Sequence, residues 1–199
     1  MVLSRGPDRQ CSKHRVGHGL AFFVCVVFAA AVLGHPTPAL EASFSELAER
    51  ADKAFHERFL EGRMRDSIAC YESLLDLDPL PVQSEAFVLR RLSQLCYELT
   101  TFSEGSTPED RDLLFRGKDY GLRSLRLVSA FAEWEEDDFK KAVGSVSDPA
   151  TLLWTAHNWG AYLSFVPLQG VLNVSAIITM YERCLAIDER YWGASAHSA

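Results

Sequence analysis

The chain has 199 residues, 48% of them hydrophobic and 24% charged, with a formal net charge of −7; this suits one globular domain with a sizeable core. Arg5, Arg9, Lys13, Arg15 and Asp8 all fall in the first fifteen residues, and the remainder holds 16 Lys+Arg against 26 Asp+Glu, a balance of −10. So acidic a body excludes nucleic acid as a partner, because phosphate binding needs clustered Lys and Arg.

The basic start is followed by Leu20 to Leu33, an uncharged apolar run of fourteen residues, and then by Gly34, Pro36, Pro38 and the small residue Ala39. That order of basic, apolar and small residues is that of a secretory signal. Fourteen residues rise only about 21 Å as a helix, short of a hydrocarbon core of about 30 Å. Cleavage is expected after Ala39 or Ala42, which makes residues 1–39 a signal peptide and residues 40–199 a helical domain. With Val16 to Gly19 and Gly34 included, the uncharged stretch reaches nineteen residues, so an uncleaved anchor is the alternative. Cys25 lacks the Leu and small residues that precede a lipoprotein cysteine, so no lipid attachment is expected there.

Beyond the leader, apolar residues recur with helical spacing. Phe44, Leu47, Ala48, Ala51, Phe55 and Phe59 form the first stripe, with Ser43 and Glu46 as a capping box and Gly62 as its end. A second helix is expected from Met64 to Leu77, stopped by Pro79 and Pro81. A third carries Phe87, Val88, Leu92, Leu95, Cys96, Leu99 and Phe102. Thr107-Pro108-Glu109-Asp110 reads as an N-cap, a proline at the first helical position and acids in the first turn. The helix it opens holds Gly117 and Gly121 one turn apart, each costing about 0.5–1 kcal/mol against Ala. Such a pair predicts the close approach of a neighbouring helix.

The acidic run Glu133 to Asp138 reads as a solvated face or loop; it lacks the alternating ligands and turn glycine of a calcium loop. A short amphipathic turn follows around Phe139 to Val143. Asp148-Pro149 opens a helix ending near Phe165, Pro167 and Gly170 mark a loop, and a last helix covers Val174 to Ile187. No stretch alternates long enough for a sheet. Six helices with mostly short connections predict an all-α fold of stacked antiparallel hairpins. Cys70, Cys96 and Cys184 sit at apolar positions, so buried thiols are expected; none has zinc-ligand spacing. One bridge with one free thiol is the alternative in an oxidising compartment.

Two segments resemble each other. Tyr71-Glu72-Ser73-Leu74-Leu75-Asp76-Leu77-Asp78 matches Tyr181-Glu182-Arg183-Cys184-Leu185-Ala186-Ile187-Asp188, 110 residues apart. Three tetratricopeptide periods span about 102 residues, so both segments read as the second helix of divergent tetratricopeptide-like repeats. Such hairpins bury their apolar faces only by stacking, and the concave side is a ready binding surface.

The most distinctive stretch is Leu153 to Tyr162, in which Trp154, Asn158 and Tyr162 recur every four residues and Trp159 adds a second indole. Two indoles and a phenol offer apolar area with polar handles, so Trp154, Asn158, Trp159 and Tyr162 are candidate ligand-binding residues, with a helix packed on both sides as the plainer reading. Leu153 to Gly160, the helix Ile178 to Asp188, and Tyr191, Gly193, Ala194 and His197 together resemble the TRAP transporter T-component (TatT-like) family. That resemblance implies a periplasmic all-helical protein on cryptic tetratricopeptide repeats. It implies a solute-binding protein as partner, a cleft for an apolar small molecule to which Tyr181 is added, and a homotrimer. It also implies helices past Ala199, so that the last hairpin is C-terminally incomplete, and a lipidated cysteine that this sequence lacks.

Catalysis needs a nucleophile, a base and an orienting group. Cys184 with His157 or His197 is a conceivable thiol–imidazole pair, no local signature supports it, and no cofactor or metal motif is present. A non-enzymatic transport component is therefore expected, with a generic protein-interaction scaffold as the alternative.

Overall fold

A computed structural model describes residues 38–77, 79–103 and 106–197. Among them are eight α-helices and no strand: α1 (Pro38–His56), α2 (Arg63–Leu75), α3 (Val82–Thr101), α4 (Pro108–Arg126), α5 (Ser129–Trp134), α6 (Phe139–Gly144), α7 (Pro149–Leu163) and α8 (Pro167–Ile187), with a 3-10 segment at Tyr191–His197. Residues 1–37 of the expected leader lie outside the described residues, Pro38 and Ala39 fall in the first turn of α1, and no helix among the described residues is long and apolar enough to cross a membrane.

Three antiparallel hairpins, α1/α2, α3/α4 and α7/α8, stack in chain order. The second helix of each earlier hairpin packs on the first helix of the next, α2 on α3 and α4 on α7. The pair α5/α6 is inserted between the second and third hairpins, which raises the expected six helices to eight. The matching segments at Tyr71 and Tyr181 fall on α2 and α8, the second helices of the first and last hairpins.

Local chemistry sets several helix ends. The Thr107 hydroxyl accepts from the Asp110 amide at 3.1 Å, and the Asp110 carboxylate accepts from the Thr107 amide at 2.9 Å, so the N-cap expected at α4 is present and is a reciprocal one. The Asp148 carboxylate caps α7 through the Ala150 amide at 3.1 Å and the Thr151 hydroxyl at 2.7 Å. Two expected starts are corrected. α1 begins at Pro38, so Ser43 lies inside the helix rather than at its cap. α8 begins at Pro167, so Pro167 and Gly170 are helical rather than a loop. In both cases a proline occupies the first turn, where its missing N–H leaves no bond unmade.

The acidic run divides into local jobs. Arg126 forks onto Glu135 at 2.7 and 2.8 Å, and Asp138 caps α6 by accepting from the Lys141 amide. Groups able to hold a metal ion are absent among the described residues. Cys96 and Cys184 are buried, Cys70 is only half-buried, and all three are free.

The glycine pair does what its spacing predicts. α7 crosses α4 there, and a Cβ added at Gly117 would overlap the Asn158 carboxamide, while one at Gly121 would overlap the Thr155 side chain. α7 is accordingly buried almost all round over its first half, with Leu152, Leu153, Thr155, Ala156 and Asn158 sealed from solvent. Leu152, Leu153 and Ala156 join Leu122, Leu125, Phe131, Val143, Met180 and Cys184 in the core.

Candidate binding cleft

α7 brings two aromatic residues to the inner side of the stack. Trp154 and His157 are one turn apart and share a face. α3 faces them with Tyr97, Glu98 and Thr101, and the 3-10 segment closes the end with Trp192 and Ser195. These residues line a cleft of about 360 Å³.

The walls are aromatic. The His157 ring stacks on Tyr97 with centroids 4.8 Å apart and planes 21° apart. Trp154 meets His157 edge-on at 5.7 Å and Trp192 edge-on at 5.0 Å. Trp154 is 2% exposed and forms the floor; Trp192 is 47% exposed and forms the rim. Trp192 has a φ of 50° and Gly193 one of 65°, a left-handed pair. A left-handed backbone costs a bulky residue about 1–2 kcal/mol, so packing on Trp154 holds Trp192 where its own backbone resists.

The polar groups are largely matched. Glu98 accepts from Arg58 Nε at 2.7 Å and from Gln94 Nε2 at 2.8 Å, which neutralises the only carboxylate in the wall. His157 Nδ1 lies 2.7 Å from the Tyr181 hydroxyl. Burial lowers the His157 pKa to about 4, so the ring is neutral at pH 7. Burial also raises the Tyr181 hydroxyl well above its ordinary range. The Trp154 indole nitrogen is directed toward Tyr191, whose own pKa is raised by burial and pulled back by that N–H, without a complete hydrogen bond.

The five residues singled out in the sequence separate into three places. Trp154 lies in the cleft, with Tyr181 behind His157 as its tether. Asn158 lies in the core, where Nδ2 donates to the carbonyls of Ser93 and Trp154, both at 2.8 Å. Its Oδ1 faces Gly117 and accepts no conventional hydrogen bond; the Gly117 Cα–H that stands where a Cβ would be is its neighbour, a weak donor. Trp159 and Tyr162 instead surround Lys118, whose ammonium is 5.6 Å from each ring centroid and 4.7 Å from that of Phe115. The cause is helical drift. Steps of four residues advance about 40° beyond a full turn, so Tyr162 stands about 80° round from Trp154.

Tyr97, Thr101, Trp192 and Ser195 were not visible as site residues, because α3 and the 3-10 segment reach the cleft only through the stacking of hairpins. In the sequence His157 stands only as a conceivable partner for Cys184. The Cys184 thiol instead reaches the Pro149 carbonyl at 3.5 Å, is 1% exposed, and is pushed up to about 11 by burial. Compared with family models, with curated proteins and with solved structures, the chain has no match.

Proposed function

We propose that the protein is an exported, periplasmic helical component of a TRAP-type transport system, holding an apolar small molecule in the cleft between α3, α7 and the 3-10 segment and engaging a solute-binding protein. The observation that carries the ligand part is the cleft itself: three aromatic rings and a neutral imidazole around about 360 Å³, with its one carboxylate already paired. Such a site favours uncharged, largely apolar molecules. The transport assignment rests on the resemblance carried by Leu153 to Gly160 and by the segment from Ile178 onward.

A surface feature favours the protein-binding part, and with it the second reading of a plain interaction scaffold. No Asp, Glu, Lys or Arg occurs from Pro149 to Tyr181, and α8 exposes Leu168 at 91%, Leu172 at 81%, Ile178 at 50% and Val174 at 47%. An exposed apolar stripe of this kind marks a contact surface.

The two readings part in one experiment. Equilibrium dialysis with 2-ethylnaphthalene is expected to show saturable binding that Trp192→Ala weakens about tenfold, the scale of one lost aromatic contact. Trp192 lies on the rim and is half-exposed, so the variant should still unfold in one cooperative transition, at a midpoint lowered only by the loss of its packing on Trp154. Absence of binding, or equal binding by the variant, leaves the scaffold. Co-purification with a solute-binding protein encoded beside its gene tests the transport assignment separately.

A further inference from the structure

We infer that the cleft is selective for an uncharged aromatic molecule bearing a carbonyl, whose oxygen accepts a hydrogen bond from His157 Nε2–H. This deepens the ligand part of the function proposed above and rests on it.

Four observations lead there. First, the imidazole is held in one orientation, stacked flat on Tyr97 and braced edge-on by Trp154. Second, Nδ1 is occupied by the Tyr181 hydroxyl at 2.7 Å. The hydroxyl has no other acceptor among the described residues, so its proton points at Nδ1. Tyr181 is half-buried, and a phenol O–H is a stronger donor than an imidazole N–H while an imidazole nitrogen is a stronger acceptor than a phenol oxygen, which favours this direction. Nδ1 is then the acceptor, and the ring's own proton sits on Nε2. Third, Nε2 has no hydrogen-bond partner among the described residues and is not sealed from solvent, so it opens on the cleft that His157 lines. Fourth, the remaining walls are rings, which suit a planar ligand stacked beside them.

The same features discriminate against charge. The ring stays neutral at pH 7 because burial disfavours its protonation, so it offers an anion a hydrogen bond but no counter-charge. Glu98 is satisfied on both oxygens by Arg58 and Gln94, so a ligand cation would have to break an existing pair. A neutral acceptor meets neither obstacle.

The discriminating experiment compares three probes of one shape by equilibrium dialysis at pH 7: 2-acetylnaphthalene, 2-ethylnaphthalene and 2-naphthoate. The ketone is expected to bind about fivefold more tightly than the hydrocarbon, the worth of one neutral hydrogen bond, and more tightly than the carboxylate. His157→Phe should abolish the difference between ketone and hydrocarbon while leaving hydrocarbon binding near its original strength. His157→Gln, which restores an amide donor, should recover part of it. Tyr181→Phe, which frees the tautomer, should shrink it without removing the ring from the wall; this variant also serves if His157→Phe does not fold. Equal affinity for ketone and hydrocarbon would overturn the inference and leave the apolar cleft standing. Tightest binding by naphthoate would overturn it as well. Failure of all three probes would remove the cleft function together with the inference.

Discussion

The first and last hairpins carry the same tyrosine for different ends. In both, a tyrosine on the second helix reaches back to the first helix of its own hairpin at 2.7 Å: Tyr71 to Asp52, and Tyr181 to His157. In the first hairpin the partner is a carboxylate, and the surroundings close over it. Tyr71 is 1% exposed, Phe87 stands edge-on to it at 6.4 Å, and the Arg91 guanidinium lies 4.0 Å from the Phe55 ring. In the last hairpin the partner is an imidazole whose far edge opens on a cleft. One tether thus serves as an internal clasp at one end of the stack and as the support of a recognition group at the other.

The hairpins also differ in how they are mounted, and this gives the largest expected effect. The α1/α2 contact combines the tyrosine clasp with a close approach of small side chains, where Ser67 donates to the Ala51 carbonyl at 3.2 Å. The α7/α8 hairpin is seated on α4 through Gly117 and Gly121, where Asn158 and Thr155 fill the space of absent side chains. Replacing both glycines by alanine should cost up to about 4 kcal/mol: each methyl overpacks a buried contact by about 1–3 kcal/mol, and each alanine regains about 1 kcal/mol of helix propensity. Hydrogen exchange should show α7 and α8 losing protection before α1 and α2. A uniform loss across all three hairpins would show that the glycines do not mount the last one separately.

How much of this was legible depends on how far each feature reaches along the chain. The cap at Thr107 to Asp110 involves partners three residues apart, and it was read correctly. Gly117 and Gly121 announced a close neighbour but not its identity, because Asn158 and Thr155 arrive from another hairpin. The shared Tyr71 and Tyr181 pattern placed two second helices, while the tethers to Asp52 and His157 are tertiary. Pro167 was ambiguous in one dimension, since proline suits a loop and a first helical turn equally. The cleft was the least legible part. Trp154 was found, but spacing by four scatters Asn158 and Tyr162 onto other faces, and the opposing Tyr97 and Trp192 lie 57 and 38 residues away in sequence. Nothing local announces the left-handed backbone of Trp192.

The neutral imidazole gives the next effect, which separates the two tethers by pH. The His157 pKa falls from 6.5 to about 4 in the fold, so between those values the unfolded chain binds a proton that the folded chain does not. Stability from this group is therefore complete above pH 6.5 and declines as pH falls toward 4, by about 3 kcal/mol in all. The groups facing the ring are Tyr97 and Glu98 from α3 and Tyr181 from α8, and Glu98 is paired with Arg58. Denaturant titrations at pH 7 and pH 4.5 should show this decline in the native chain and its absence in His157→Phe. A decline of the same size in the variant would assign it to other groups.

The smallest effect tests whether the acceptor's charge is what distinguishes the two clasps. Tyr71→Phe removes a hydrogen bond to a carboxylate, and such bonds contribute about 1.5–3 kcal/mol. Tyr181→Phe removes one to a neutral ring, worth about 1 kcal/mol on the same scale. Both phenylalanines fit the space the rings already occupy, so packing changes little. The expected losses at pH 7 are therefore about 2 kcal/mol for the first and about 1 kcal/mol for the second, read as shifts in the urea midpoint at constant slope. Equal losses would mean that burial of the tyrosines, rather than the nature of the partner, sets the strength of the tether. A larger loss at Tyr181 would mean that His157, once unclasped, destabilises the walls of its own cleft, and the last hairpin would then be the more tightly built of the two.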